Sequence, residues 1–176
     1  MANEWSQGQE TERRGDADGN VVAQMAVELP DGTFPTRLDD RGRLKLPVAF
    51  QRYFESLRER KLFVTTLDGL TVRIYPIDIW RHNRLQLAKA VGDNDAADVL
   101  FIANDLGANA EMDNQGRILI HEELRKALNL ENQPLKLVPW QWRIDLYPEQ
   151  VYEQRKLGAL QNLAEKLRRL ENMGLR

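Results

Sequence analysis

Apolar and polar positions in this chain switch between two periods, and the switches mark out its elements. Arg43-Leu44-Lys45-Leu46 alternates strictly, the pattern of a strand with one buried face. Phe34 to Leu38 reads as a strand before it, and Asp39-Asp40-Arg41-Gly42 between them has hairpin composition. Aspartate there can accept bonds from backbone amides ahead of it, and glycine supplies a positive φ. Pro47 opens a helix to about Arg60, with Val48, Tyr53, Phe54 and Leu57 on its buried side. Strands follow over Lys61–Leu67 and Leu70–Tyr75, joined by the turn signal Asp68-Gly69. The same order then returns: a strand into Met112, a turn over Asp113–Gly116, a strand over Arg117–Ile120, a helix from about Glu122 to Leu128, and strands over Leu135–Val138 and Trp142–Tyr147. Helices are predicted between the two sets, over Asp78–Leu87 and over Asp93–Ala103, the second packing Val99, Leu100 and Ile102 inward. A long helix is predicted over Glu149–Met173, with Leu157, Leu160, Leu163, Leu167 and Leu170 recurring along one side.

The recurrence is also one of residues. Leu38-Asp39-Asp40-Arg41-Gly42-Arg43-Leu44-Lys45-Leu46-Pro47 is echoed by Met112-Asp113-Asn114-Gln115-Gly116-Arg117-Ile118-Leu119-Ile120-His121. Phe50 aligns with Leu124 and Arg52 with Lys126; Ile74-Tyr75-Pro76 then matches Leu146-Tyr147-Pro148, shifted by two residues. One small supersecondary unit is used in tandem, and whatever chemistry it has is presented twice.

Composition narrows the class. The chain has 176 residues, no cysteine and two histidines, His82 and His121, without ligand spacing, so thiolate metal sites and disulfides are excluded and no cofactor is expected. No apolar run approaches the roughly 20 residues of a membrane span, and no signal pattern opens the chain, so a cytoplasmic protein is expected. The net charge of −2 conceals a segregation. Residues 1–29 form an acidic leader expected to be disordered, with Val21–Val27 as a short strand or lead-in before the turn signal Pro30-Asp31-Gly32. The stretch from Arg37 to Lys61 carries Arg37, Arg41, Arg43, Lys45, Arg52, Arg58, Arg60 and Lys61 against four acids. Such a basic stripe can steer an anionic partner whatever the total charge. Nothing supplies a nucleophile, a metal cluster or a phosphate-cradling glycine loop, so an enzyme is not expected.

The paired motifs at Leu38–Pro47 and Met112–Ile120, each followed by a helix and a Tyr-Pro strand end, resemble those of the bacterial MraZ family, over roughly residues 30 to 152. The resemblance implies an α+β fold of two fused SpoVT-AbrB-type units, residues 33–80 and 107–150, whose swapped hairpins build a β-barrel-like core. A helical connection over 81–106 and an amphipathic C-terminal helix over 151–176 complete it. It further implies a homo-oligomeric ring and a nucleoid-associated, sequence-specific DNA-binding regulator, usually repressing its own division and cell wall operon.

Within that expectation the residues divide by role. A two-strand ribbon fits the major groove. Arg41 and Arg43 at the first turn, Lys45 on the outer face, Arg37 on the incoming strand and Arg117 in the second copy are the candidate DNA contacts. Asp39, Gly42, Asp113 and Gly116 are expected to hold the turns in shape, because a carboxylate would repel phosphate. Gln115 stands where the family has a basic loop residue, His121 where it has proline, and Asp93–Asp105 holds four aspartates and no lysine or arginine. The second copy is therefore expected to be mainly architectural. Trp80, Trp140, Trp142 and Tyr147 are expected in the core or an interface rather than as a base-stacking platform. The competing function is a ring-forming scaffold that has lost operator recognition.

Overall fold

The computed structural model describes residues 28–57, 59–90, 92 and 94–176. Residues 1–27 of the leader predicted to be disordered, with the strand or lead-in over Val21–Val27, lie outside the described residues, whereas Leu29 packs against the core. The described fold is α+β. In chain order it runs β1 (Phe34–Thr36), β2 (Arg43–Lys45), α1 (Val48–Ser56), β3 (Lys61–Thr65), β4 (Val72–Pro76), α2 (Ile77–Lys89) and α3 (Asn94–Asp105). It continues with β5 (Ala108–Glu111), β6 (Arg117–Leu119), α4 (Glu122–Ala127), β7 (Leu135–Trp140), β8 (Arg143–Pro148), α5 (Glu149–Leu160) and α6 (Leu163–Asn172).

Alternation alone suggests that β1 and β2 form a local hairpin. They do not form a ladder: their link is a single bridge, Leu38 to Leu44, mirrored by Met112 to Ile118 in the second repeat. Instead β2 pairs antiparallel with β6, Leu44 opposite Ile118. The reason is burial. A three-residue strand presents one inward side chain, too little to close a core, whereas the crossed pair sets Leu44 and Ile118, both fully buried, against each other.

The remaining strands form one antiparallel sheet in the order β1-β7-β8-β4-β3-β5. Its two halves are related by exchange: β1 of the first repeat edges β7 of the second, and β5 of the second edges β3 of the first. The halves meet at β4 and β8, where Arg73 is the register partner of Asp145. In the repeat alignment those two positions are equivalent, as the neighbouring Ile74 and Leu146 are. A symmetric pair of identical units would face one charge with its own copy; here opposite charges occupy the two places, while Arg73 pairs with Asp68 and Asp145 with Arg143.

The main core draws on both repeats: Leu44, Leu46, Phe50, Tyr53 and Phe54 from the first pack with Ile118, Ile120, Leu124 and Leu130 from the second. In α1 the buried side is Phe50, Tyr53 and Phe54, spaced i, i+3, i+4, with Leu57 partly buried at its end. Val48, expected on that side, is 61% exposed, because the first turn at Pro47 faces outward. A smaller cluster lies under α2, where Phe63 stacks on Trp80 with ring centroids 4.4 Å apart. Trp80 is thus a core residue. Trp140 and Trp142 are not; they stand exposed on either side of Gln141, which turns with φ +53°. On α3 the fully buried residue is Ala103, held near Thr65, whose hydroxyl donates to the Ala103 carbonyl at 2.7 Å. Val99, Leu100 and Ile102 are only half-buried.

The single C-terminal helix of the sequence reading is two helices. Asn162 adopts a left-handed φ of +54°, which an α-helix cannot carry through, so α5 ends at Leu160 and α6 begins at Leu163.

Two glycines tie the repeats together. Gly42 (φ +72°) lies under the Arg125 side chain of α4, and Gly116 (φ +69°) under the Gln51 side chain of α1. A Cβ on Gly42 would stand 2.4 Å from the Arg125 guanidinium carbon. Gly69 shares the positive φ of +68° but has open space around it. Gly69→Ala should therefore lose about 1–3 kcal/mol from backbone strain alone. Gly42→Ala should lose more, because Arg125 must also move. Urea unfolding followed by circular dichroism measures both, and equal losses would mean that the Arg125 contact carries no weight.

Candidate nucleic-acid interface

Each repeat builds its turn from one aspartate. In the first, Asp39 Oδ1 accepts from the backbone N–H groups of Arg41 (3.0 Å) and Arg43 (2.9 Å), and Oδ2 accepts from Arg43 Nε at 2.8 Å. In the second, Asp113 Oδ1 accepts from Gln115 N (2.9 Å) and Arg117 N (2.9 Å), and Oδ2 from Arg117 Nε at 2.8 Å. The backbone closes both turns in the same way: Gly42 N donates to Asp39 O at 2.9 Å, and Gly116 N to Asp113 O at 2.9 Å. An aspartate two and four residues ahead of its donors satisfies amides that a sharp turn would leave unpaired.

These bonds favour the ionised carboxylates. The backbone N–H of Arg43, followed by its guanidinium, holds the Asp39 carboxyl below its ordinary range. For Asp113 the Arg117 side chain leads, with the backbone N–H groups of Arg117 and Gln115 behind it. The arginines are held alike: Arg43 gives Nε to Asp39 Oδ2 and Arg117 gives Nε to Asp113 Oδ2, each at 2.8 Å.

The crossed ribbon brings the turns into one body. Ile120 N donates to Gly42 O at 3.0 Å and Leu46 N to Gly116 O at 2.9 Å, while Lys45 Nζ donates to the Gln115 carbonyl. Strand alternation then sorts the faces. Leu44, Leu46, Ile118 and Ile120 point inward, at most 1% exposed. Arg43, Lys45, Arg117 and Leu119 share the outer face, with Arg43 opposite Leu119 and Lys45 opposite Arg117. Arg41 is exposed on the first turn. Arg37 is not on the ribbon face; it lines an open groove of about 730 Å³ with Pro35, Thr36, Asn132 and Pro134.

Three residues of this surface escape a reading of the sequence. Leu119 sits among the cations instead of inside. Arg125 reaches from the second repeat to the first turn, donating through Nη1 to Ile120 O at 2.5 Å and pairing through Nε with Glu131 at 3.0 Å. Gln51 occupies the equivalent place over the second turn and donates to Leu46 O at 2.7 Å. The repeat alignment carries the signal for the last two, since Gln51 and Arg125 fall between the matched pairs Phe50/Leu124 and Arg52/Lys126. Among the described residues, no group of three or more His, Asp or Glu is placed to hold a metal ion, and no helix is long and apolar enough to cross a membrane.

Comparison with known proteins places the chain in a family. No family model matches the chain. The transcriptional regulator MraZ of Koribacter versatilis is 36% identical over 104 residues, covering 58% of this chain and 71% of that protein. The chain belongs to the MraZ family. The MraZ regulator of Acidobacterium capsulatum is 38% identical over 97 residues (54% of this chain, 66% of the relative). That of Lachnoclostridium phytofermentans is 28% identical over 136 residues, 76% of this chain and 92% of the relative. Membership makes a role in bacterial transcription regulation the frame for the site, and in that frame the doubled Asp–Arg turn is the feature that shapes the exposed ribbon.

The carboxylate shifts fix the sign of a pH effect. Because Asp39 and Asp113 titrate lower in the folded than in the unfolded chain, their contribution is present above the ordinary aspartate range. It fades as pH falls through that range and is gone below the depressed folded values. Urea midpoints should drop on acidification below the ordinary aspartate range. Asp39→Asn/Asp113→Asn should be less stable at neutral pH and show a shallower acid-side fall; an unchanged slope would contradict this assignment.

Proposed function

We propose that this MraZ family member is a sequence-specific DNA-binding transcriptional regulator whose contact surface is the β2–β6 ribbon. The observation that carries the reading is the composition of its outer face, where Arg43, Lys45 and Arg117 stand together on a two-strand ribbon backed by a fully apolar layer. Such a ribbon matches the major groove in width and can offer arginine forks to guanine O6 and N7. Lys45 suits a phosphate. Arg41 adds a cation at the first turn, and Arg37 flanks it from the neighbouring groove. Asp39, Gly42, Asp113 and Gly116 act as turn-forming residues and do not touch the duplex.

In this reading the two repeats, residues 33–80 and 107–150, are SpoVT-AbrB-like units joined through 81–106. The protein represses its own division and cell wall operon from the nucleoid. It works as a homo-oligomer, a ring, and the C-terminal helices supply part of the contact between copies. On α6 Leu163, Leu167 and Leu170 remain 46–51% exposed, an apolar stripe that water does not favour and a second copy can cover, and Leu157 and Leu160 of α5 are exposed as well. The α6 helix, with Lys166, Arg168 and Arg169 against Glu165 and Glu171, is net positive, whereas α3 carries Asp95, Asp98 and Asp105 and no cation, so a head-to-tail contact has the favourable sign.

A second reading is a ring-forming scaffold without operator recognition. It is favoured by the neutral second turn, where Gln115 stands in place of Arg41.

Gel retardation with the protein's own upstream region separates the two. A regulator gives a sequence-dependent shift at moderate salt, with a log–log salt slope of about −0.9 per phosphate contacted. Arg43→Ala should weaken operator binding by roughly 1–3 kcal/mol, the worth of a lost arginine–guanine pair, and leave oligomer mass unchanged. Leu163→Glu/Leu167→Glu should do the reverse in light scattering, giving a smaller species. Absence of any sequence-dependent shift supports the scaffold.

A further inference from the structure

One residue on the ribbon's outer face has no role in the reading above. Leu119 is 56% exposed, directly across from Arg43 and two positions along the same strand and face from Arg117. Its chain neighbours Ile118 and Ile120 are fully buried, so the core is already served on the other face of the strand. Packing does not call for a leucine here. The repeat supplies a direct comparison: the equivalent position in the first copy is Lys45, also outward-facing. The same backbone site thus carries a cation in one copy and a bare hydrocarbon in the other.

Resting on the DNA-binding reading, we infer that Leu119 is a specificity-determining residue that receives the C5-methyl group of a thymine in the major groove. Leucine has neither a donor nor an acceptor. Set against guanine O6 and N7, the adenine edge or the cytosine amino group, it would strip water from a polar atom and return nothing. Phosphate is worse for the same reason. The thymine methyl is the one large apolar feature the groove displays. The cations around Leu119 bring it to that depth, because Arg43 and Arg117 on the same face are drawn toward base edges and phosphates. A lone exposed leucine is ordinary on a protein surface, but this one is framed by the groups that would seat the ribbon on DNA.

An asymmetry follows. The crossed pair is pseudo-twofold, yet one end of the ribbon offers Arg43 with Leu119 and the other Lys45 with Arg117. The preferred thymine therefore belongs to one side of the site only, and the operator is not a perfect palindrome within one chain's footprint.

The test uses the full chain and duplexes it enriches from a randomised library. Each thymine of the enriched site is replaced in turn by deoxyuridine, which lacks only the methyl group. At one position the replacement should weaken wild-type binding about fourfold, as expected for one buried methyl. Leu119→Ala should bind the thymine duplex at least that much more weakly, with unchanged thermal midpoint and oligomer mass, and should no longer distinguish thymine from deoxyuridine there. Leu119→Lys, copying the first repeat, should also lose the distinction while gaining affinity for unrelated duplexes and about one phosphate in its salt slope. A defined enriched sequence with no deoxyuridine-sensitive position overturns the inference. So does a sensitivity that survives in Leu119→Ala. A library that yields no enriched sequence overturns the DNA-binding reading itself, and this inference with it.

Discussion

The crossed ladder between β2 and β6 is the constraint on which the rest of the molecule depends. Each strand is three residues long and has one inward side chain, so neither is stable beside its own repeat. Exchanged, they bury Leu44 against Ile118 and bring each turn beneath a side chain of the other repeat, Arg125 over Gly42 and Gln51 over Gly116. The larger sheet obeys the same exchange at both edges, with β1 on β7 and β5 on β3. Loss of the crossing would leave two half-cores, each short of the apolar surface needed to offset chain entropy.

Fusion of the two units in one chain relaxes symmetry where symmetry would be costly. At the sheet centre the equivalent positions hold Arg73 and Asp145, opposite charges rather than a like pair. On the ribbon the same freedom separates roles. The first turn carries Arg41 and lies under the Arg125 guanidinium; the second carries Gln115 and lies under a neutral amide. Arg43 and Arg117 occupy matched places, and each gives Nε to the aspartate of its own turn. The carboxylate that braces each arginine also orders it, so side-chain entropy is lost before any partner arrives. An exposed cationic face formed in this way has its geometry set in advance.

Much of this was legible in the residues. The Asp-x-x-Gly-Arg echo announced two equal turns, and the turns match in every hydrogen bond. Alternation placed Lys45 outside and Leu44 and Leu46 inside. Local pattern failed where distance in sequence was spanned. It joined β2 to β1, because alternation states which face is buried and not which strand supplies the neighbour. It put Val48 on the buried side of α1 and ran one helix through Asn162, where the backbone turns left-handed. Leu119 received no role from the sequence, although strict alternation from Ile118 and Ile120 points it outward.

The sequence by itself determined the turns, the repeat and the family, because these rest on interactions between residues at most a few positions apart or on identity of residues. An aspartate reaches the amides two and four residues ahead wherever the chain goes, and glycine alone takes the positive φ without strain. Only the tertiary structure decided which surface the cations share. Lys45 and Arg117 lie across from each other after a separation of 72 positions, through a ladder whose driving force is the burial of Leu44 and Ile118. Hydrophobic burial is non-directional and carries no record in any short stretch of chain. The partner it selects, and the outward-facing leucine it leaves among the arginines, emerge when the whole core closes.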